Sequence, residues 1–64
     1  MTFDEKLKYV REHLKISQEY LARELGVSYQ TINRLEKGKT LPSYSTLMMF
    51  EEFCKKKNIK FEEQ

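Results

Sequence analysis

The polar residues of the segment 28–39, SYQTINRLEKGK, have the types and spacing needed to recognise DNA bases. Ile32 and Leu35 are spaced to form the buried side of a short helix, which leaves Gln30 and Arg34 on its outer side. Gln can form two hydrogen bonds with adenine, and Arg can form two with guanine. A short helix with this outer side suits the major groove of DNA. Further candidates for base contacts are Tyr29 and Asn33.

The residues before this segment predict a second helix that would hold it in place. Ser17 can cap the start of a helix, because its side-chain oxygen accepts a hydrogen bond from a free backbone N–H. Leu21 and Leu25 follow at helical spacing. Gly26 provides the left-handed backbone that ends many helices, and Ser28 can cap the next one. The sequence therefore predicts two short helices joined by a tight turn.

The stretch from Arg11 to about Leu47 resembles the Cro/phage-repressor type of helix-turn-helix, the large XRE-like family of bacterial and phage transcriptional regulators. The matching residues are Ser17, Gln18, Glu19, Leu21, Ala22, Leu25 to Ser28, Thr31 to Glu36, Gly38, Lys39, Pro42 and Ser43. The resemblance implies an all-α fold, a compact lambda-repressor-like bundle of four helices with a short C-terminal extension. It also implies sequence-specific binding of double-stranded DNA.

The resemblance assigns a role to each candidate residue, with an ordinary solvated surface as the alternative. The positions that read bases correspond to Tyr29, Gln30, Asn33 and Arg34. The positions that bind phosphate correspond to Gln18 at the start of the first helix of the pair, Thr31, Lys37, Lys39 and Thr40. Arg11 and Glu36 match a structural salt bridge between the first helix of the bundle and the end of the reading helix.

Composition fits this interpretation and excludes others. The 64 residues suffice for one domain with a net charge of +2, and residues 27–42 alone carry +2, from three basic residues and one acidic residue. The single Cys54 favours a reducing compartment, and no apolar segment suggests a signal peptide or a membrane span, so we expect a cytoplasmic protein. His13 and Cys54 lack partners for catalysis, so the sequence predicts neither an enzyme nor a cofactor or metal.

Two flanking helices complete the predicted bundle. Phe3, Leu7, Val10 and Leu14 form an amphipathic stripe that should end at about His13 or Leu14. The last helix should begin after Ser43 and fade through residues 55–57. Its predicted inward side consists of Leu47, Phe50 and Cys54, flanked by Phe53, and we also expect Met48 and Met49 to serve as packing residues.

Residues 58–64 differ in pattern from the proposed DNA-binding domain, residues 1–57. Ile59 and Phe61 alternate with charged residues, which is typical of a short strand and suggests a strand that could mediate dimerisation. The alternative is that both side chains fold back onto the core of their own chain.

The predicted function is that of a small repressor of the phage or mobile-element type, acting as a homodimer on a palindromic operator. One alternative is an antitoxin or antirepressor that binds a protein partner from a neighbouring gene. A second is a DNA-targeting module of a larger system. Neither alternative involves a membrane.

Overall fold

The computed structural model describes residues 1–61, which form four α-helices and, within that range, no strand. The helices are α1 (Phe3–Leu14), α2 (Gln18–Leu25), α3 (Tyr29–Glu36) and α4 (Tyr44–Lys56). The all-α prediction is thus confirmed, and α1 ends where its apolar spacing predicts. The last three residues of the predicted extension lie outside the described residues.

The apolar sides of the helices meet in one core. The most deeply buried side chains are Leu7 and Val10 from α1, Leu21 from α2 and Ile32 from α3. Phe50 and Phe53 of α4 close the core, and the ring of Phe50 meets Phe3 edge-on at 5.1 Å between centroids. The amphipathic stripes seen in the sequence are therefore the surfaces that pack together.

Each of the last three helices begins with a serine cap. The side-chain oxygens of Ser17, Ser28 and Ser43 accept hydrogen bonds from backbone N–H groups three residues further on, at 3.0 to 3.2 Å. At the start of α1, the Glu5 carboxylate accepts from the Thr2 backbone N–H at 2.9 Å. These bonds satisfy donors that would otherwise lack a partner, so the capping residues define where the helices begin.

All four helices end in a Schellman motif, in which one residue is left-handed and the next N–H returns to a carbonyl five residues earlier. The left-handed residues are Lys15, Gly26, Gly38 and Asn58. The residues that donate the returning bonds are Ile16, Val27, Lys39 and Ile59. Three of these four are apolar and pack on the core, and the exception is Lys39 at the end of α3.

The buried side of α4 differs from the prediction at one position. Phe50, Phe53 and Cys54 are buried, but Leu47 is exposed and Thr46 is buried in its stead. Thr46 can be buried because its hydroxyl oxygen accepts a hydrogen bond from the Ser43 hydroxyl at 3.0 Å. The prediction for Leu47 was therefore wrong, because Thr46, whose hydroxyl is bonded to Ser43, takes the core-facing position instead.

The prediction that Met48 and Met49 serve as packing residues was also wrong, since both side chains are exposed. The four residues buried along α4 lie about one and two turns apart, at positions 46, 50, 53 and 54. Positions 48 and 49 fall outside that row, because successive residues in a helix are separated by about 100°. Part of the apolar surface of α4 therefore faces solvent.

The described part of the C-terminal extension folds back and forms no strand. Asn58 is left-handed, with φ at 61°, and this turns the chain so that the Ile59 N–H donates to the Cys54 carbonyl at 2.8 Å. Ile59 is buried in the core, and the ring of Phe61 lies beside Phe50 at 6.2 Å between centroids. The alternation therefore reflects two contacts with the core of the same chain.

Candidate nucleic-acid interface

The outer side of α3 carries the candidate base-reading residues. Ile32 and Leu35 are buried against the core, and Gln30 and Arg34, one turn apart, are exposed on the opposite side. Tyr29 is also exposed, at the first turn of the helix. The side chains of Gln30, Arg34 and Tyr29 can therefore reach a partner without disturbing the core.

Asn33 differs from the other three, because its side chain is half-buried and hydrogen-bonded within the protein. Its amide nitrogen donates to the Gln18 Oε1 atom at 3.3 Å. Gln18 in turn donates from Nε2 to the Glu36 Oε1 atom at 3.0 Å. One predicted phosphate-binding residue, Gln18, and one predicted base-reading residue, Asn33, are thus joined with Glu36 in one hydrogen-bonded chain.

That chain ends in the predicted ion pair, which is present. The Arg11 guanidinium donates from Nε to Glu36 Oε2 at 2.6 Å and from Nη2 to Oε1 at 2.9 Å. A bidentate pair of this kind fixes the relative orientation of both groups. The hydrogen bonds to Glu36 raise the pKa of Arg11, so the guanidinium stays charged.

The four connected residues link three helices at one point. Arg11 belongs to α1, Gln18 is the first residue of α2, and Asn33 and Glu36 belong to α3. Because Glu36 is buried, its carboxylate requires the three hydrogen bonds that it accepts. The network therefore fixes the angle of α3 relative to α1 and α2.

The amide nitrogen of Gln18 has two hydrogens, so donating to Glu36 leaves one for a phosphate.

The loop after α3 carries the remaining basic candidates. Lys37, Lys39 and Thr40 are all exposed. Lys39 follows the left-handed Gly38, in the position that an apolar core residue occupies at the other three helix ends. A charged residue in this position keeps the loop open to solvent. Thr31, the last candidate, is half-buried, and its hydroxyl lies 2.9 Å from the Ser28 hydroxyl.

The bonds that join Gln18 to Asn33 and Glu36 were not predictable from the sequence. These partners are 15 and 18 residues apart, and no spacing rule within one helix connects them. The match of Arg11 with Glu36 indicated that α1 approaches the end of α3, but it did not involve the start of α2. The contact of Gln18 with Asn33 and Glu36 forms because the turn at Gly26 brings the start of α2 beside α3.

Residues 1–61 offer no other site of comparable definition. Within that range no three His, Cys, Asp or Glu side chains are grouped closely enough to hold a metal ion. None of the helices described is long and apolar enough to span a membrane. A shallow groove between α1, α4 and residues 59–61 includes Cys54, and burial raises the pKa of that thiol to about 11.

Comparison with known proteins identifies the family. A family model described as helix-turn-helix matches residues 7–58, which is most of the chain. The chain is also 48% identical over 48 residues to MJ0272 of Methanocaldococcus jannaschii, named as an uncharacterised HTH-type transcriptional regulator. The aligned residues make up 75% of this chain and 73% of that protein. The search of solved structures returned no match. The chain belongs to the XRE-type helix-turn-helix family.

Proposed function

We propose that this protein is a sequence-specific DNA-binding transcriptional regulator, a small repressor of the kind found in phages and mobile elements. The observation that carries the proposal is the outer side of α3, where Gln30 and Arg34 are exposed and project away from the core. These side-chain types form paired hydrogen bonds with adenine and guanine in the major groove. The similarity to MJ0272, which is named as a transcriptional regulator, supports the same reading.

Gln18 and the loop residues would bind the DNA backbone on either side of α3. Lys37, Lys39 and Thr40 follow the C-terminal end of α3, and Gln18 contacts the side of that helix through Asn33. Contacts with phosphate fix the register of a reading helix on the duplex, and contacts with bases then select the sequence. We assign Thr31 to a further phosphate contact and Tyr29 to a further base contact.

The proposal includes a homodimer on a palindromic operator. The eight residues of α3 span about 12 Å, which corresponds to only three or four base pairs. Two reading helices on half-sites about 34–36 Å apart would double the sequence that is recognised.

Selection of bound sequences from a random pool of DNA tests the function. We expect a palindromic motif for the native chain and no enrichment for a Gln30→Ala, Arg34→Ala double variant that retains its helical circular dichroism spectrum. The double variant is a suitable control because both side chains are exposed. If the native chain enriches no sequence at low salt, the proposed function is wrong.

A further inference from the structure

The groove between α1, α4 and residues 59–61 combines an apolar floor with a charged rim. It has a volume of about 520 Å³, and its apolar lining consists of Phe3, Leu47, Phe50, Cys54, Ile59 and Phe61. Phe50, Cys54 and Ile59 are buried, so they form the floor. Binding sites for small molecules have volumes of about 300–1,000 Å³ and mainly apolar linings with a few polar groups. The groove therefore has the size and lining of a site for a small molecule.

The rim of the groove is mainly basic. Lys6, Lys55 and Lys60 contribute three positive charges and Glu51 contributes one negative charge, so the lining has a net charge of +2. Among residues 1–61, neither Lys55 nor Lys60 forms an ion pair. Positive charge beside an apolar wall attracts anions and raises their local concentration. The rim is thus complementary to a negatively charged ligand.

The aromatic side chains of the groove suit a ligand with an apolar body. The ring of Phe50 meets Phe3 edge-on at 5.1 Å between centroids and lies beside Phe61 at 6.2 Å. A ligand ring can add a further edge-to-face or offset contact to such a cluster. The Cys54 thiol adds no negative charge to the floor, because burial raises its pKa to about 11.

We propose that the groove binds a small organic anion, in which an aromatic ring or a short alkyl chain ends in a carboxylate. The apolar body would lie on the floor, and the carboxylate would pair with Lys55 and Lys60 at the rim. No residue of α3 lines the groove, so this ligand would leave the outer side of α3 free for DNA. The ligand site goes beyond the proposed function and does not depend on it.

Phenylbutyrate is a suitable probe, because it joins an aromatic ring to a carboxylate through a short alkyl chain. A molecule of about twelve heavy atoms in an open groove should bind with a dissociation constant on the order of 1 mM. We expect a titration of the native chain to shift the amide NMR signals of Ile59 and Lys60 and to leave those of Gln30 and Arg34 in place. Phenylbutylamine has a similar body and the opposite charge, so it should bind at least about tenfold more weakly.

A pair of matched variants tests where the probe binds. Leu47 lines the groove and Met48 does not, although their exposed fractions are similar, at 36% and 44%. We expect Leu47→Glu to raise the dissociation constant of phenylbutyrate at least about tenfold, because it brings a second carboxylate to the groove. Met48→Glu should leave the constant within about twofold. Replacing both Lys55 and Lys60 by Ala should raise it at least about threefold. Circular dichroism checks that each variant is folded.

The same titrations can overturn the proposal. It is wrong if the native chain shows no saturable binding, if phenylbutylamine binds as tightly as phenylbutyrate, or if Leu47→Glu and Met48→Glu have equal effects. Glu62 and Glu63 follow Phe61 in the sequence, outside the described residues. If a Glu62→Gln, Glu63→Gln double variant binds phenylbutyrate more than about tenfold more tightly than the native chain, the rim serves carboxylates of the chain itself and the proposal is again wrong.

Discussion

At the scale of single residues, the two partners of the Arg11–Glu36 pair differ in burial. The Arg11 side chain is 25% exposed and the Glu36 side chain 6%. We expect Arg11→Met, which keeps most of the apolar stem, to lower the free energy of unfolding by about 3–5 kcal/mol, since it leaves a buried carboxylate without its cation. Glu36→Gln should cost only about 1–2 kcal/mol, because the guanidinium can turn toward water. Urea denaturation measures both, and the reverse order would show that Glu36 gains little from Arg11.

A second prediction separates base recognition from phosphate binding. Arg34→Ala should weaken binding to the preferred sequence by roughly 1–3 kcal/mol and relax the preference at one base pair, because Arg34 is exposed on the outer side of α3, which we propose reads the bases. Lys39→Ala should weaken binding to all sequences alike and reduce the dependence of log K on log salt by about one unit. Selection of bound sequences and salt titration with each variant distinguish base recognition from phosphate binding. A changed sequence preference in Lys39→Ala alone would reverse the two roles.

The thiol of Cys54 provides a third prediction. Burial raises its pKa from 9.0 to about 11, so at pH 8 its thiolate fraction is about 100-fold below that of an ordinary thiol. A more basic thiolate is also more nucleophilic, which offsets part of the lower thiolate fraction. We therefore expect iodoacetamide to alkylate Cys54 about tenfold or more slowly than it alkylates a free thiol. The control is the same reaction in denaturant, where the rate should return to that of a free thiol. Equal rates in both solutions would show that the thiol is accessible in the native protein.

At the scale of helices, the caps predict two opposite effects on stability. Lys15 ends α1 with φ at 59°, a conformation that costs a side chain more than it costs glycine. We therefore expect Lys15→Gly to raise the free energy of unfolding by about 0.5–1 kcal/mol. The matched variant Gly26→Ala should lower it by about 1 kcal/mol, because no atom lies within 4 Å of the added Cβ and backbone strain is the only penalty. Thermal melting of both variants checks the signs, and a loss in Lys15→Gly would contradict the argument.

The helices were predictable because each has its own signals in the sequence. Serine caps, apolar spacing and glycine breaks located α2 and α3, and the stripe from Phe3 to Leu14 located α1. The buried side of α4 was less predictable, since the four successive apolar residues at positions 47–50, LMMF, satisfy several helical registers at once. The bonds from Gln18 to Asn33 and Glu36 depend on the angle between two helices, which no local pattern contains.

At the scale of the whole molecule, the described extension completes the core. Ile59 is 8% exposed, and we expect Ile59→Ala to cost about 2–5 kcal/mol, a large fraction of the stability of so small a domain. Lys60→Ala is the control, because its exposed side chain should matter by less than about 0.5 kcal/mol. Melting and sedimentation should be measured on the same samples. If Ile59→Ala dissociates a dimer without lowering the monomer's stability, the extension serves assembly after all.

The different situations of Gln30, Arg34 and Asn33 have a consequence for how such a regulator can diverge. Within residues 1–61 the side chains of Gln30 and Arg34 are exposed and make no hydrogen bond or ion pair, so either residue can be replaced without a loss of stability that another change must first offset. Asn33 is hydrogen-bonded to Gln18, which is also bonded to Glu36 of the Arg11–Glu36 pair. A change at Asn33 therefore disturbs the network that connects three helices. A lineage that acquires a new operator should therefore change at Gln30 and Arg34 early and at Asn33 late.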